Sequence, residues 1–208
     1  MQLILARHGN TFGPGDEVVW VGARTDLPLV EKGIQQAEAV AAGLKAAGLV
    51  PARIYAGPLK RTAQTARIVA EACGLPDEAV ITAEELREID YGSWEARSND
   101  EIRAEVGDTP IDAWQKQSVW PEGFGWTPGE ADVLAAWNRL VDIIRRDNAE
   151  DATILVVSSN GVYRLVAKML GLPAAEAKMG TGTVSRLVID AEGERIAGWN
   201  LDPARLAG

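Results

Sequence analysis

The sequence predicts an α/β fold with a mainly parallel sheet, and three observations carry that prediction. Short runs of apolar and β-branched residues alternate with longer segments of helical periodicity. Two of those runs stop abruptly at polar clusters, Arg7-His8-Gly9-Asn10 and Ser158-Ser159-Asn160. The balance of 47% hydrophobic and 25% charged residues is that of a globular chain with a full core.

The elements follow in order. Residues 2–6 read as a short buried strand. Residues 31–45 set Ile34, Ala37, Val40, Ala41 and Leu44 on one stripe, which predicts an amphipathic helix. A strand over 53–56 leads through Gly57-Pro58 into a helix over 59–73, and 79–82 is a third strand candidate. Residues 152–157 are a strong strand, after which Asn160-Gly161 opens a helix to residue 170. Residues 184–189 and 196–200, parted by Glu192-Gly193, predict a closing hairpin. Strands alternating with helices imply a sheet covered on both faces.

Residues 96–129 break the rhythm: helical in places, they turn Gly- and Pro-rich and carry Trp114, Trp120 and Trp126. They are expected to form an insertion over one end of the sheet, within a single domain spanning 1–208. The three tryptophans either make the insertion's own small core or a subunit contact, or line a pocket for a planar substrate moiety. Trp94, Trp137 and Trp199 are expected to pack, Arg24 to lie at the surface, and Glu130 to place its charge at the start of a helix.

A net charge of −9, from 30 acidic and 21 basic residues, disfavours nucleic acid as a partner. A small anion would need a local cationic pocket working against that field. No apolar run approaches the roughly 18 residues of a membrane span, and no basic leader precedes Leu3-Ile4-Leu5. Cys73 is alone, so an intramolecular disulfide is excluded. A cytoplasmic location without membrane association is expected, and self-association into a homo-oligomer is left open.

In open α/β sheets ligands sit beyond the carboxyl ends of the strands, where Arg7-His8 and Ser159-Asn160 both fall. His8 is the only histidine in the chain. An imidazole there can attack phosphorus when one nitrogen is neutral and free and a backbone carbonyl holds the other. The adjacent Arg7 offers forked donors to phosphoryl oxygens. Arg61, in the first turn of the 59–73 helix, adds a charge at a helix start suited to phosphate. Around Leu86 to Glu95, a carboxyl kept protonated by burial could protonate a leaving alkoxide. Glu84, Glu85, Glu88, Asp90 and Glu95 are all placed to compete, and spacing alone does not choose.

Taken together, these motifs resemble the histidine phosphatase superfamily, in its phosphoglycerate mutase-like branch. The matching pieces occur in the family's order: Arg7-His8-Gly9-Asn10-Thr11; Thr25-Asp26-Leu27-Pro28-Leu29 with Lys32-Gly33 and Gln36-Ala37; Pro58-Leu59 with Arg61-Thr62-Ala63-Gln64-Thr65-Ala66; Leu86 with Glu88 and Gly92; Pro128-Gly129-Glu130; and Val157-Ser158 with Gly161 and Arg164. The resemblance implies a three-layer α/β/α sandwich with the insertion as a lid. It implies that His8 becomes phosphorylated, that Arg7 and Arg61 cradle the phosphate, and that Glu88 serves as acid and then base. Asn10 is expected to shape the phosphate loop. No metal and no cofactor are expected.

One departure stands out. Family members usually carry a second histidine in a Val-Ser-His-Gly-like turn, where this chain reads Val157-Ser158-Ser159-Asn160-Gly161. Counting back from Arg164 puts Ser159 in its place; aligning on the following glycine puts Asn160 there. Either side chain offers a neutral donor without positive charge. The reading is a phosphomonoesterase acting on a small phosphorylated metabolite through a phosphohistidine. The alternatives are a catalytically degenerate phospholigand-binding or regulatory protein, and a phosphoglycerate mutase-like phosphotransferase.

Overall fold

A computed structural model describes residues 1–206. Six strands, β1 (Gln2–Arg7), β2 (Arg53–Ala56), β3 (Val80–Thr82), β4 (Thr153–Ser158), β5 (Val184–Asp190) and β6 (Gly193–Leu201), form one sheet in the order β3-β2-β4-β1-β5-β6. The first four positions in that order run parallel, whereas β5 and β6 add on antiparallel. The sheet is therefore mainly parallel, as the alternation of elements predicts.

Alternate side chains of the central strands feed two cores. Leu3 and Leu5 of β1, with Ile154 and Val156 of β4, face one side. They pack there with α5 (Glu130–Asp147) and α6 (Asn160–Met169) through Trp137, Leu140, Ile144 and Leu165. Ile4, Ala6, Leu155 and Val157 face the other side. There they meet α1 (Glu31–Ala46) and α2 (Lys60–Cys73) through Val40, Leu44, Ala66 and Val69. A strand buried on both faces needs an unbroken apolar run rather than an alternating one, which is why β1 and β4 read as they do. The result is a three-layer α/β/α sandwich.

Strand and helix ends fall within about two residues of expectation, with one larger shift. β6 begins at Gly193, three residues before the predicted 196, because its pairing with β5 continues to Asp190↔Gly193. The turn tightens to Ala191 and Glu192, where the Asp190 carboxylate accepts the Glu192 N–H at 2.9 Å.

The 96–129 segment folds into α3 (Asn99–Val106), α4 (Asp108–Gln117) and a loop. Ser98 and Glu101 form a reciprocal capping box at the start of α3. Trp114 and Trp126 are buried in the same core as α5 and α6, so the insertion is built onto the domain rather than beside it.

The loop after β1 crosses α1 at close range. A Cβ on Gly9 would fall inside the van der Waals envelope of the Gly33 backbone, and one on Gly33 would meet Asn10 in the same way. Both partners are main chain, so neither can swing aside. Gly9→Ala is accordingly expected to cost about 2–3 kcal/mol of stability by overpacking. An unfolding midpoint in urea unchanged from wild type would contradict that.

Candidate active site

The parallel register Arg7↔Ser158 sets the carboxyl ends of β1 and β4 side by side. The His8 N–H donates to the Ser158 carbonyl at 3.1 Å, which fixes the two polar turns against each other. Above them opens a cavity of about 590 Å³, lined by Arg7, His8, Asn10, Glu88, Asn160 and Arg164 among others. The cationic pocket that an acidic chain requires thus exists, at the expected edge of the sheet.

His8 is buried, and its Nδ1 lies 2.8 Å from the Gly9 carbonyl oxygen. That carbonyl can only accept, so Nδ1 carries the proton and Nε2 keeps its lone pair when the ring is neutral. Burial, followed by the charges of Arg7 and Arg61, pushes the imidazole pKa well below its ordinary value; the Gly9 carbonyl opposes this only in part. These surroundings therefore favour the neutral ring over the imidazolium.

Three guanidinium groups converge around it. Arg7 donates through Nη1 to the Met179 carbonyl at 2.7 Å. Arg61 is fully buried behind the lining and donates to the carbonyls of Thr25 at 3.0 Å and Gly22 at 3.2 Å. Arg164 donates to Trp114 O at 3.2 Å and Ser118 Oγ at 3.0 Å, with its charge 5.4 Å above the centre of the Trp114 ring. Among the described residues, the Nε–H groups of all three are buried without a protein acceptor, as is the Ser159 hydroxyl. Unpaired buried donors are uncommon, and the two on the lining residues Arg7 and Arg164 favour an anion there.

Glu88 settles the competition among the acids. Its Oε1 accepts the Ile89 N–H at 3.0 Å and its Oε2 the Gly161 N–H at 3.2 Å, which fixes the carboxyl plane. Burial raises its pKa above the ordinary carboxylate value, against the opposing pull of Arg61, the two N–H donors and Tyr91. The others are spent elsewhere. Glu95 accepts the N–H groups of Gly22, Arg24, Thr25 and Tyr91. Asp90 pairs with the exposed Arg24 at 2.9 Å, Glu84 pairs with Arg87 at 2.7 Å, and Glu85 does not line the cavity.

Of the residues expected to bind phosphate, Arg7, Asn10 and Asn160 line the cavity, whereas Arg61 and Ser159 stand just behind it. Asn10 is locked in a small network: its N–H donates to Gln36 Oε1 at 2.8 Å, and Gln36 Nε2 donates to the Thr181 carbonyl at 2.9 Å. Asn160 Oδ1 accepts the Met179 N–H at 3.0 Å, which leaves its amide N–H₂ as the donating end. At the α2 start the Lys60 N–H is given to Asp26 at 2.7 Å. At the α6 start the Gly161 N–H is given to Glu88 at 3.2 Å.

Two lining residues escaped the sequence reading. Tyr91 places its hydroxyl beside the Glu88 carboxyl, and Arg164 served there only as a motif match. Gly161 explains how the first of these pairs is seated. A Cβ there would lie 2.7 Å from Tyr91 Oη and would collide with Glu88 Oε1.

Fold and geometry define an α/β protein with a cationic cavity, a neutral histidine and a raised-pKa carboxyl at the carboxyl edge of its parallel strands. The chain belongs to the histidine phosphatase superfamily (branch 1), whose sequence model matches residues 3–202. It is 33% identical over 186 residues to the "Probable phosphoglycerate mutase GpmB" of Yersinia pestis (strain Pestoides F), covering 84% of this chain and 77% of that protein. Among solved structures it is similar to a mycobacterial glucosyl-3-phosphoglycerate phosphatase, with 27% identity, a TM-score of 0.79, and coverage of 97% of this chain and 99% of the other. The alpha-ribazole phosphatase of Shigella flexneri is similar at 26% identity and a TM-score of 0.72, covering 97% of each chain. No helix among the described residues is long and apolar enough to cross a membrane.

Proposed function

We propose that this protein is a phosphomonoesterase that works through a phosphohistidine on His8. The observation that carries the reading is the pairing, in one cavity, of a neutral His8 with its Nδ1 held by Gly9 and a Glu88 inclined to stay protonated. Nε2 attacks phosphorus; the phosphorus–oxygen bond to the alcohol breaks, and Glu88 gives its proton to the departing alkoxide. Glu88 then takes a proton from water as that water attacks the phosphohistidine, releasing phosphate and restoring both groups. Arg7, Arg61 and Arg164 hold the phosphoryl charge throughout. The phosphatases among its structural neighbours support hydrolysis.

Asn160, with its Oδ1 tethered to Met179, supplies the neutral donor at the turn where an imidazole is expected. Losing one transition-state donor costs about 10²–10³ in rate. Asn160→Ala is expected to lower kcat by about that factor, with a smaller loss for Ser159→Ala because Ser159 does not line the cavity. The reverse ranking would assign the role to Ser159. A rate gain from Ser159→His or Asn160→His identifies the position that lacks the imidazole.

The decisive assay is phosphate release from a panel of phosphate esters. Release that depends on His8 supports the reading. Conversion of 3-phosphoglycerate to 2-phosphoglycerate without release would favour a phosphotransferase, the reading that the 33% identical relative suggests. Saturable binding of phosphate esters with no turnover would favour a phospholigand-binding protein, which the single histidine makes the other reading to test.

A further inference from the structure

We infer that the alcohol of the preferred substrate is flat and apolar, an aryl or arylalkyl group, rather than one carrying a carboxylate. The inference rests on the phosphate-ester reading of the site and concerns the rest of the cavity. At about 590 Å³ the cavity has the size of pockets that enclose a whole small ligand, far more than a phosphoryl group fills. Its charged floor is Arg7, His8, Glu88 and Arg164. Away from that floor Phe12, Val18, Trp20 and Val21 from the segment after β1, and Trp114 from the insertion, give the lining its apolar faces, with the uncharged Thr11, Asn99 and Gln115 between them.

This wall is held rigid from behind. Trp20 meets Tyr91 and Trp94 edge to face, each at 5.0 Å between centroids, and Trp114 meets Trp126 at 4.9 Å. The Trp20 indole N–H is already given to Asn99 Oδ1 at 2.9 Å, so what Trp20 has left to offer a ligand is its apolar ring. Rigid aromatic faces of this kind bind flat apolar groups at small entropic cost. Beyond the floor, Lys178 is the one charged lining residue, and it comes with Thr181 from the chain between α6 and β5, not from the aromatic wall. A carboxylate placed against that wall would meet only the neutral groups of Thr11, Asn99 and Gln115, with no cation there to balance its charge. Val18 is 66% exposed, so it can be changed without disturbing the core.

The test compares 1-naphthyl phosphate with 3-phosphoglycerate in the wild type, Val18→Gln and Lys178→Ala. Alongside, calorimetry measures binding of benzylphosphonate and phosphonoacetate to the wild type. The expected result is a kcat/KM for 1-naphthyl phosphate at least about tenfold higher, the scale of discrimination that a few apolar contacts give. Val18→Gln is expected to raise KM for that ester, with kcat little changed. Benzylphosphonate should bind the tighter of the two phosphonates. Preference for 3-phosphoglycerate, abolished by Lys178→Ala, would overturn the inference. Were neither ester hydrolysed, the catalytic reading would rest on the wider ester panel and not on this comparison. The phosphonates would still decide this one, since equal or reversed affinities sink it.

Discussion

Replacing His8 by Ala is expected to lower turnover of any phosphate ester by on the order of 10⁴-fold or more, because nothing else in the chain can take its place as nucleophile. The sequence holds no other histidine, and Cys73 sits at the far end of α2. The covalent intermediate gives a second readout. Brief incubation with a labelled ester should leave acid-labile phosphate on the wild-type protein and none on the variant. His8→Asn separates chemistry from structure, since its amide can still donate to the Gly9 carbonyl as Nδ1 does while offering no nucleophile. It should remain folded and be as inactive as His8→Ala. Label retained on either variant, or background-level turnover in the wild type as well, would remove His8 from the mechanism.

The same geometry sets the acid side of the pH profile. His8 must be neutral to attack, and its pKa lies well below the ordinary imidazole value because burial and two arginines disfavour the imidazolium. Activity should therefore persist on acidification past the point where a free histidine protonates, and fall only below it. A kcat/KM that halves near the ordinary histidine pKa would mean that the imidazole is more solvated in solution than its buried position implies.

The sequence showed the scaffold of this site more clearly than its interior. β1 and β4 were legible because both of their faces are buried, which leaves an apolar run with a sharp polar end, and those two ends prove to be neighbours in register. His8 and Arg7 stood out for the same reason. Glu88 stood out only through the family resemblance, not through spacing: five acids lie between residues 84 and 95, and the backbone N–H groups of Gly22, Arg24, Thr25 and Tyr91, held by Glu95, show that this rival is occupied. Tyr91 carries no local sign of its place in the cavity, because its hydroxyl, the Glu88 carboxyl and the Gly161 backbone come together only in the fold. Arg164 is hidden differently, facing inward from α6 onto α4 carbonyls about fifty residues away in sequence. The network of Asn10, Gln36 and Thr181 joins segments that no local pattern connects.

Glu88→Gln should produce the second-largest loss, and its size should depend on the leaving group. The amide is nearly isosteric but cannot transfer a proton, so the general-acid contribution of about 10²–10⁴-fold is lost. An alkyl phosphate, whose alkoxide needs that proton, should lose the whole factor. A nitrophenyl ester leaves as a stable anion and should lose much less in the first step. Glutamine also cannot keep both backbone partners, because its N–H₂ would face either the Ile89 or the Gly161 N–H where carboxyl oxygens now accept. Glu88→Asp supplies the control: it keeps an acid while shifting its position, and should retain more activity toward alkyl esters than the amide does. In the wild type Glu88 acts as acid only while protonated. Burial raises its pKa, and a phosphate dianion beside it raises it further. Activity toward alkyl esters should thus fall as pH climbs through that raised value, and this alkaline limb should vanish in Glu88→Gln. Equal losses for alkyl and nitrophenyl esters, with the limb intact, would leave Glu88 a structural acid and move the proton donor elsewhere in the cavity, with Tyr91 the nearest candidate.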